Sequence, residues 1–120
     1  MLVKCLNNQP NHNLIVGKDY VVYGMMYSDD TGLSMMLAGE DYTYYPLQYP
    51  IRLFEIIDDT MPSCWRANWY IQENGVFAIS YPEWFDMFDH WFRITEGYEE
   101  DVEVWKKYKE LMDNEARGKK

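Results

Sequence analysis

Cysteine, histidine and positive charge are all scarce in this chain of 120 residues. Its two cysteines, Cys5 and Cys64, are too few to staple a small secreted domain. The opening stretch MLVKCLNNQPNHN has a single Lys and no apolar core of a signal peptide. The expectation is two free thiols and a cytoplasmic protein. No apolar run approaches the roughly 18 residues of a membrane helix, so no membrane span is expected.

The two histidines, His12 and His90, belong to no H-E-x-x-H pattern, and neither C-x-x-C nor G-x-x-x-x-G-K-[ST] occurs. Cys5, His12, Cys64 and His90 have no spacing that supports a zinc site. Neither Cys64 with His90 nor Cys5 with His12 is supported as a nucleophile pair. Cys64 sits in an apolar run beside Trp65, where a buried, inert thiol is the usual outcome. Asp29-Asp30-Thr31-Gly32 lacks the alternating ligands and distal Glu of a calcium loop. It and Asp58-Asp59 are the paired carboxylates that general acid–base chemistry would use, but beside Thr, Gly and Pro they read as turns. The expectation is a protein that is not an enzyme and carries no cofactor or metal.

Eleven Lys and Arg stand against twenty Asp and Glu, a net charge of −9. Residues 19–59 hold eight acids against Arg52 alone, and residues 83–103 hold eight against Arg93 alone. Such surfaces repel phosphate backbones, so direct nucleic-acid binding is not expected. They attract a basic protein and speed its association. The plainer reading is that the charge only keeps an acidic protein in solution.

Aromatic residues are abundant, 18% of the chain within a hydrophobic fraction of 48%, which argues against disorder. The length suits a single domain, with residues 1–80 mainly β, 81–115 forming two helices and 116–120 a frayed tail. LVKCL, LIVGKDYVVYGMMYS, LSMMLAG, YTYYPL and IRLFEII read as strands. DDTG makes a hairpin turn with Gly32 free to take positive φ, and QYP separates the last two strands. CWRANWYIQ and VFAIS flank Asn74-Gly75, a strong hairpin signal.

Helical period begins at Pro82. Ser80 with Glu83 reads as a capping box, and Trp84, Phe85, Phe88, Trp91 and Phe92 recur as one core-facing stripe. Glu83, Asp86, Asp89, His90 and Arg93 fall on the outer side. Gly97 ends this helix, and a second begins near Tyr98 with Glu99, Glu100 and Asp101 suiting its N-terminal dipole. Its apolar face is Tyr98, Val102, Trp105, Tyr108 and Met112.

The pattern LVKCLNN … LIVGKDYVVYG … LFEIID resembles small SH3-like β-barrel proteins of bacteria and their phages over residues 2–58. The matching residues are Val3, Lys4, Cys5, Leu14, Gly17, Lys18, Tyr20, Val22, Phe54 and Glu55. Residues 25–50 are longer and richer in Tyr than that pattern. DDTMPSCW, ISYPEWF and Tyr108-Lys109, within residues 58–112, resemble immunity proteins of bacterial toxins, including those of contact-dependent growth inhibition. Together the resemblances imply an α+β fold: an SH3-like bent antiparallel sheet or barrel followed by two C-terminal helices. They also imply a small inhibitor encoded beside a toxin and made to bind it, and the two acidic segments suit a basic toxin of the nuclease type, whose substrate cleft they could fill. The alternative is a phage-type acidic accessory protein or inhibitor of another nucleic-acid enzyme.

Tyr and Trp anchor protein interfaces well. The residues expected to meet the partner are therefore Glu40, Asp41, Tyr42, Tyr44, Tyr45 and Tyr49, the pair Asp58 and Asp59, and Asp86, Asp89 and His90. For YTYYPLQY the competing reading is a plain aromatic edge strand, and for Asp86, Asp89 and His90 a solvated helix face.

Overall fold

The computed structural model describes residues 1–9, 13–40, 45–69 and 76–118. Among these residues, two antiparallel sheets and three helices make up an α+β architecture. The smaller sheet has β1 (Leu2–Cys5) at its centre, between β2 (Asp19–Val21) and β6 (Phe54–Asp58). The larger sheet runs β5 (Leu47–Pro50), β4 (Gly32–Leu37), β3 (Gly24–Ser28), β8 (Phe77–Ser80), β7 (Arg66–Trp69).

The chain crosses between the sheets at Val22 and Tyr23. The Val22 amide donates to the Met1 carbonyl of the small sheet, and the Tyr23 amide donates to Met36 of the large one. It crosses back through a 3₁₀ turn, Ile51–Leu53, that joins β5 to β6. Each crossing sets one inaccessible residue in the core, Val22 in the first and Leu53 in the second, while Ile51 and Arg52 stay exposed.

β3 and β4 form the hairpin expected around DDTG, with Ser28 opposite Gly32 and Gly32 at φ 73°. β7 and β8 pair as expected; their Asn74-Gly75 turn lies outside the described residues, as does His12. The fifth strand differs from expectation. QYP, read as a spacer, supplies most of β5, while Tyr45 and Pro46 precede the strand. Pro50 ends an edge strand, where its missing N–H costs no ladder bond. Ile51, Arg52 and Leu53 form the 3₁₀ turn rather than part of β6.

The helical region departs further. Three helices replace the expected two: α1 (Glu83–Asp86), α2 (His90–Thr95) and α3 (Glu99–Ala116). Ser80 does not cap; it ends β8, and its hydroxyl donates to the Tyr23 carbonyl. Pro82 starts α1, its fixed φ suiting a first turn. Met87 is extended and Asp89 is left-handed at φ 51°, so the helix stops and restarts. Asp tolerates that conformation better than most residues.

The break overturns the single core stripe. Trp84 is buried and Phe85 packs on the core, but Phe88, Trp91 and Phe92 are 71%, 41% and 54% exposed. A stripe holds its phase only while 3.6-residue geometry is unbroken. α3 behaves as its period requires, with Val102, Trp105 and Met112 buried and Tyr98 left outside.

Along one face of the large sheet lie Gly24, Met26, Met36 and Gln48, and α1 and α2 stand over it. The opposite face reaches the small sheet, where Tyr49 of β5 meets Phe54 of β6 edge-on. α3 closes the crossing point. Trp105 packs edge-on to Tyr23 at 5.1 Å, and the Tyr23 hydroxyl donates to Asp113 at 2.7 Å. No helix among the described residues is long and apolar enough to cross a membrane.

Candidate interaction face on the broken helix

The elbow between α1 and α2 is held by a buried polar chain. The Tyr81 hydroxyl lies 2.6 Å from His90 Nε2, and His90 Nδ1 lies 2.9 Å from Asp101 Oδ2. Arg93 Nε donates to Asp101 Oδ1 at 2.8 Å. Tyr81, His90 and Asp101 are all but inaccessible, whereas the Arg93 side chain is about one-third exposed. Burial lowers the His90 pKa and outweighs the pull of Asp101 in the other direction. The ring is therefore neutral, with Nδ1–H donating to Asp101 and Nε2 accepting from Tyr81. Burial alone would raise the Asp101 carboxyl, but hydrogen bonds from His90 and Arg93 prevail and hold it below its usual range.

Aromatic rings surround this chain. Tyr81 stacks on Tyr108 at 4.4 Å, and Trp84 meets His90 edge-on at 5.7 Å. The Tyr108 hydroxyl donates to Glu83, tying α3 to α1. With its base fixed in this way, the elbow presents Phe88, Trp91 and Phe92 outward with Asp86 and Asp89 beside them in sequence.

Beside these rings a cleft of about 430 Å³ runs between the elbow and the start of β5. Met26, Met36 and Gln48 come from the sheet, Trp84 and Phe85 from α1, and Asp89, Trp91 and Phe92 from the far side. Trp91 joins the walls: its indole N–H donates to the Pro46 carbonyl at 2.9 Å, and Tyr45 packs edge-on against it at 6.0 Å. Two distant segments, 45–48 and 84–92, thus share one surface.

The residues expected to meet a partner are dispersed. Asp89 lines the cleft, Tyr45 packs against its wall, and Asp86 is the exposed last residue of α1. His90 does not lie on an exposed helical side; it is buried at 2% exposure because the break turns it inward. Tyr49, at 4%, is a core residue. Glu40 is engaged on the flank of the small sheet, accepting from Lys18 at 2.8 Å and from the Tyr20 hydroxyl at 2.7 Å, and the Lys18 bonds lower its pKa. Asp58 ends β6, where its carboxylate accepts from the Thr60 amide, a turn contact that lowers its pKa. Asp59 is exposed beside it, and neither lines the cleft. Asp41, Tyr42 and Tyr44 lie outside the described residues.

Sequence reasoning missed Asp101, read as one of three dipole-compensating acids, and the projecting trio Phe88, Trp91 and Phe92. No Gly or Pro marks the break at 87–89. The one local hint is an Asp, which accepts left-handed backbone.

Cys5 and Cys64 are both free; burial raises the Cys64 thiol to about 11, so its thiolate is scarce at neutral pH. Among the described residues no three His, Cys, Asp or Glu side chains converge on a common point suited to a metal ion. No protein-family model matches the chain, and no curated protein or solved structure is similar enough to it to be counted a relative.

Proposed function

We propose that this protein is a non-catalytic inhibitor that binds a basic partner through the α1–α2 elbow, in the manner of an immunity protein neutralising a cognate bacterial toxin of the nuclease type in the cytoplasm. The observation that carries the reading is the set of three projecting rings, Phe88, Trp91 and Phe92, beside Asp86 and Asp89 on a rigidly based elbow. Large aromatics exposed together mark an interaction surface more than a solvated one. Acidic neighbours select for a cationic partner and speed its approach. A strand, a 3₁₀ turn and a strand returning to pair with β1 are also consistent with an SH3-like barrel for the first sixty residues.

The test is co-purification with the product of the adjacent gene at low and high salt, paired with protection of cells from that product. A tight, protective complex is expected, with an association rate falling about tenfold or more as salt rises. Phe88→Ser with Phe92→Ser, both more than half exposed, should weaken the complex by about 2 kcal/mol or more without unfolding the chain. A complex unaffected by these changes would move the interface elsewhere, and no protection at all would remove the toxin. An acidic phage-type inhibitor of another nucleic-acid enzyme would use the same face, and the gene neighbourhood separates it from the first reading.

A further inference from the structure

The cleft beside the elbow combines three properties seldom found together on a surface. Met26, Met36 and Trp84 give it an apolar floor, with Gln48 and His90 among its polar lining. Its rim carries the exposed carboxylate of Asp89 beside the rings of Trp91 and Phe92. Among the described lining residues there is no Lys or Arg. The nearest cation along the helix, Arg93, is already engaged by Asp101 at 2.8 Å and lies over the Tyr98 ring at 4.1 Å. A volume of about 430 Å³ falls in the range of sites that enclose a ligand group.

We propose that the cleft receives the side chain of an arginine projecting from a basic protein. The apolar floor takes the methylene stem, and the rim takes the guanidinium between an aromatic face and a carboxylate. This rests on the reading that a basic protein binds the elbow and names the anchor that it inserts. A leucine or methionine would fill the floor but strand the Asp89 carboxylate at a closing interface without a partner. A carboxylate side chain would be repelled by Asp89 and its neighbour Asp86. Lysine has the charge but neither the planar face to stack nor the paired donors for a carboxylate. The protein already makes this combination once, in Arg93, Tyr98 and Asp101.

The experiment needs no partner. Blocked pentapeptides Gly-Leu-Xaa-Leu-Gly, with Xaa as arginine, lysine, norleucine or glutamate, are titrated into the isotope-labelled full chain and followed by two-dimensional NMR. The arginine peptide should shift the indole N–H signals of Trp84 and Trp91 and saturate near a dissociation constant of about 1 mM. It should bind about tenfold more tightly than the norleucine peptide and more tightly than the lysine one. Asp89→Asn should abolish most of that preference, and because Asn also accepts left-handed backbone the elbow survives the change. No shift at those indoles up to about 10 mM peptide, equal binding of arginine and norleucine, equal binding of arginine and lysine, or a preference intact in Asp89→Asn would each overturn the proposal. If the arginine peptide binds while co-purification with the neighbouring gene product fails, only the toxin reading falls. If that complex forms and the peptide does not bind, only the arginine anchor falls.

Discussion

Replacing Asp101 by Asn removes one charge from the buried chain and almost no volume. The carboxylate accepts from His90 Nδ1 with one oxygen and from Arg93 Nε with the other. An amide has one oxygen and one NH₂, so one of those donors must face a donor. If the oxygen stays with Arg93, His90 can shift its proton to Nε2 and accept from the amide. The Tyr81 hydroxyl must then accept from Nε2–H, and the bond that it donates to His90 is lost. Removing one partner from a buried hydrogen bond costs about 1–3 kcal/mol. Losing the charge opposite Arg93 adds to that loss, though less than for a fully buried pair because the Arg93 side chain is about one-third exposed. The expected loss is about 3 kcal/mol, a fall of roughly 10 °C in Tm for a chain of this length.

Urea unfolding near neutral pH, followed by tryptophan fluorescence and circular dichroism, measures that loss. The double mutant makes the test sharper. Tyr81→Phe alone should cost about 1 kcal/mol by deleting the hydroxyl bond to His90. In the Asp101→Asn background it should cost less, because Tyr81 and Asp101 hold His90 from opposite sides of one hydrogen-bonded chain. A cost for Asp101→Asn below about 0.5 kcal/mol, or an equal cost of Tyr81→Phe in both backgrounds, would refute this account of the hydrogen-bonded chain.

Three further outcomes follow from the same packing. His90 is lowered in the folded state, so the unfolded chain binds more protons below about pH 6.5. Stability should then fall as pH drops through that region, by at most about 1.4 kcal/mol per pH unit from this group, and His90→Gln should flatten the slope below about pH 6.5. Asp89→Gly should raise stability by a few tenths of a kcal/mol or leave it unchanged, whereas Asp89→Ala should lower it by about 1 kcal/mol, since only the first accepts φ 51° without strain; thermal melts of both variants decide it. Gly24→Ala should cost about 1–3 kcal/mol in chemical denaturation, because its new methyl would collide with the end of Met36 and stand 2.9 Å from the Ile79 carbonyl oxygen.

Local chemistry was legible where it decides structure alone. DDTG set the β3–β4 hairpin, the Asn74-Gly75 signal marked β7 and β8, and the stripe of Val102, Trp105 and Met112 located α3 and its buried side. The elbow was not legible, because its stop lies in a backbone angle at Asp89 that no breaker residue announces. Once phase is lost there, the exposure of Trp91 and Phe92 is mis-assigned, and His90 with them. Asp101 was hidden for a different reason. An acid in the first turn of a helix satisfies the dipole whichever way it faces, and only the approach of Arg93 and His90 from α2 makes this one internal. The division of strands into two sheets also exceeds local signals, since it depends on β6 returning to β1 rather than extending β5.

That return has a consequence for how the chain acquires its shape during synthesis. β1 leaves the ribosome first, yet one of its two neighbours is β6, whose Ile56 lies opposite Val3. Closing so long a loop is entropically costly until the hairpin of β3 and β4 has shortened it. The first strand therefore waits with an unpaired edge while most of the large sheet is being made. Lys4 at the middle of that edge and the polar run Asn7-Asn8-Gln9 behind it are the kind of residues that keep a waiting strand from pairing with the wrong chain.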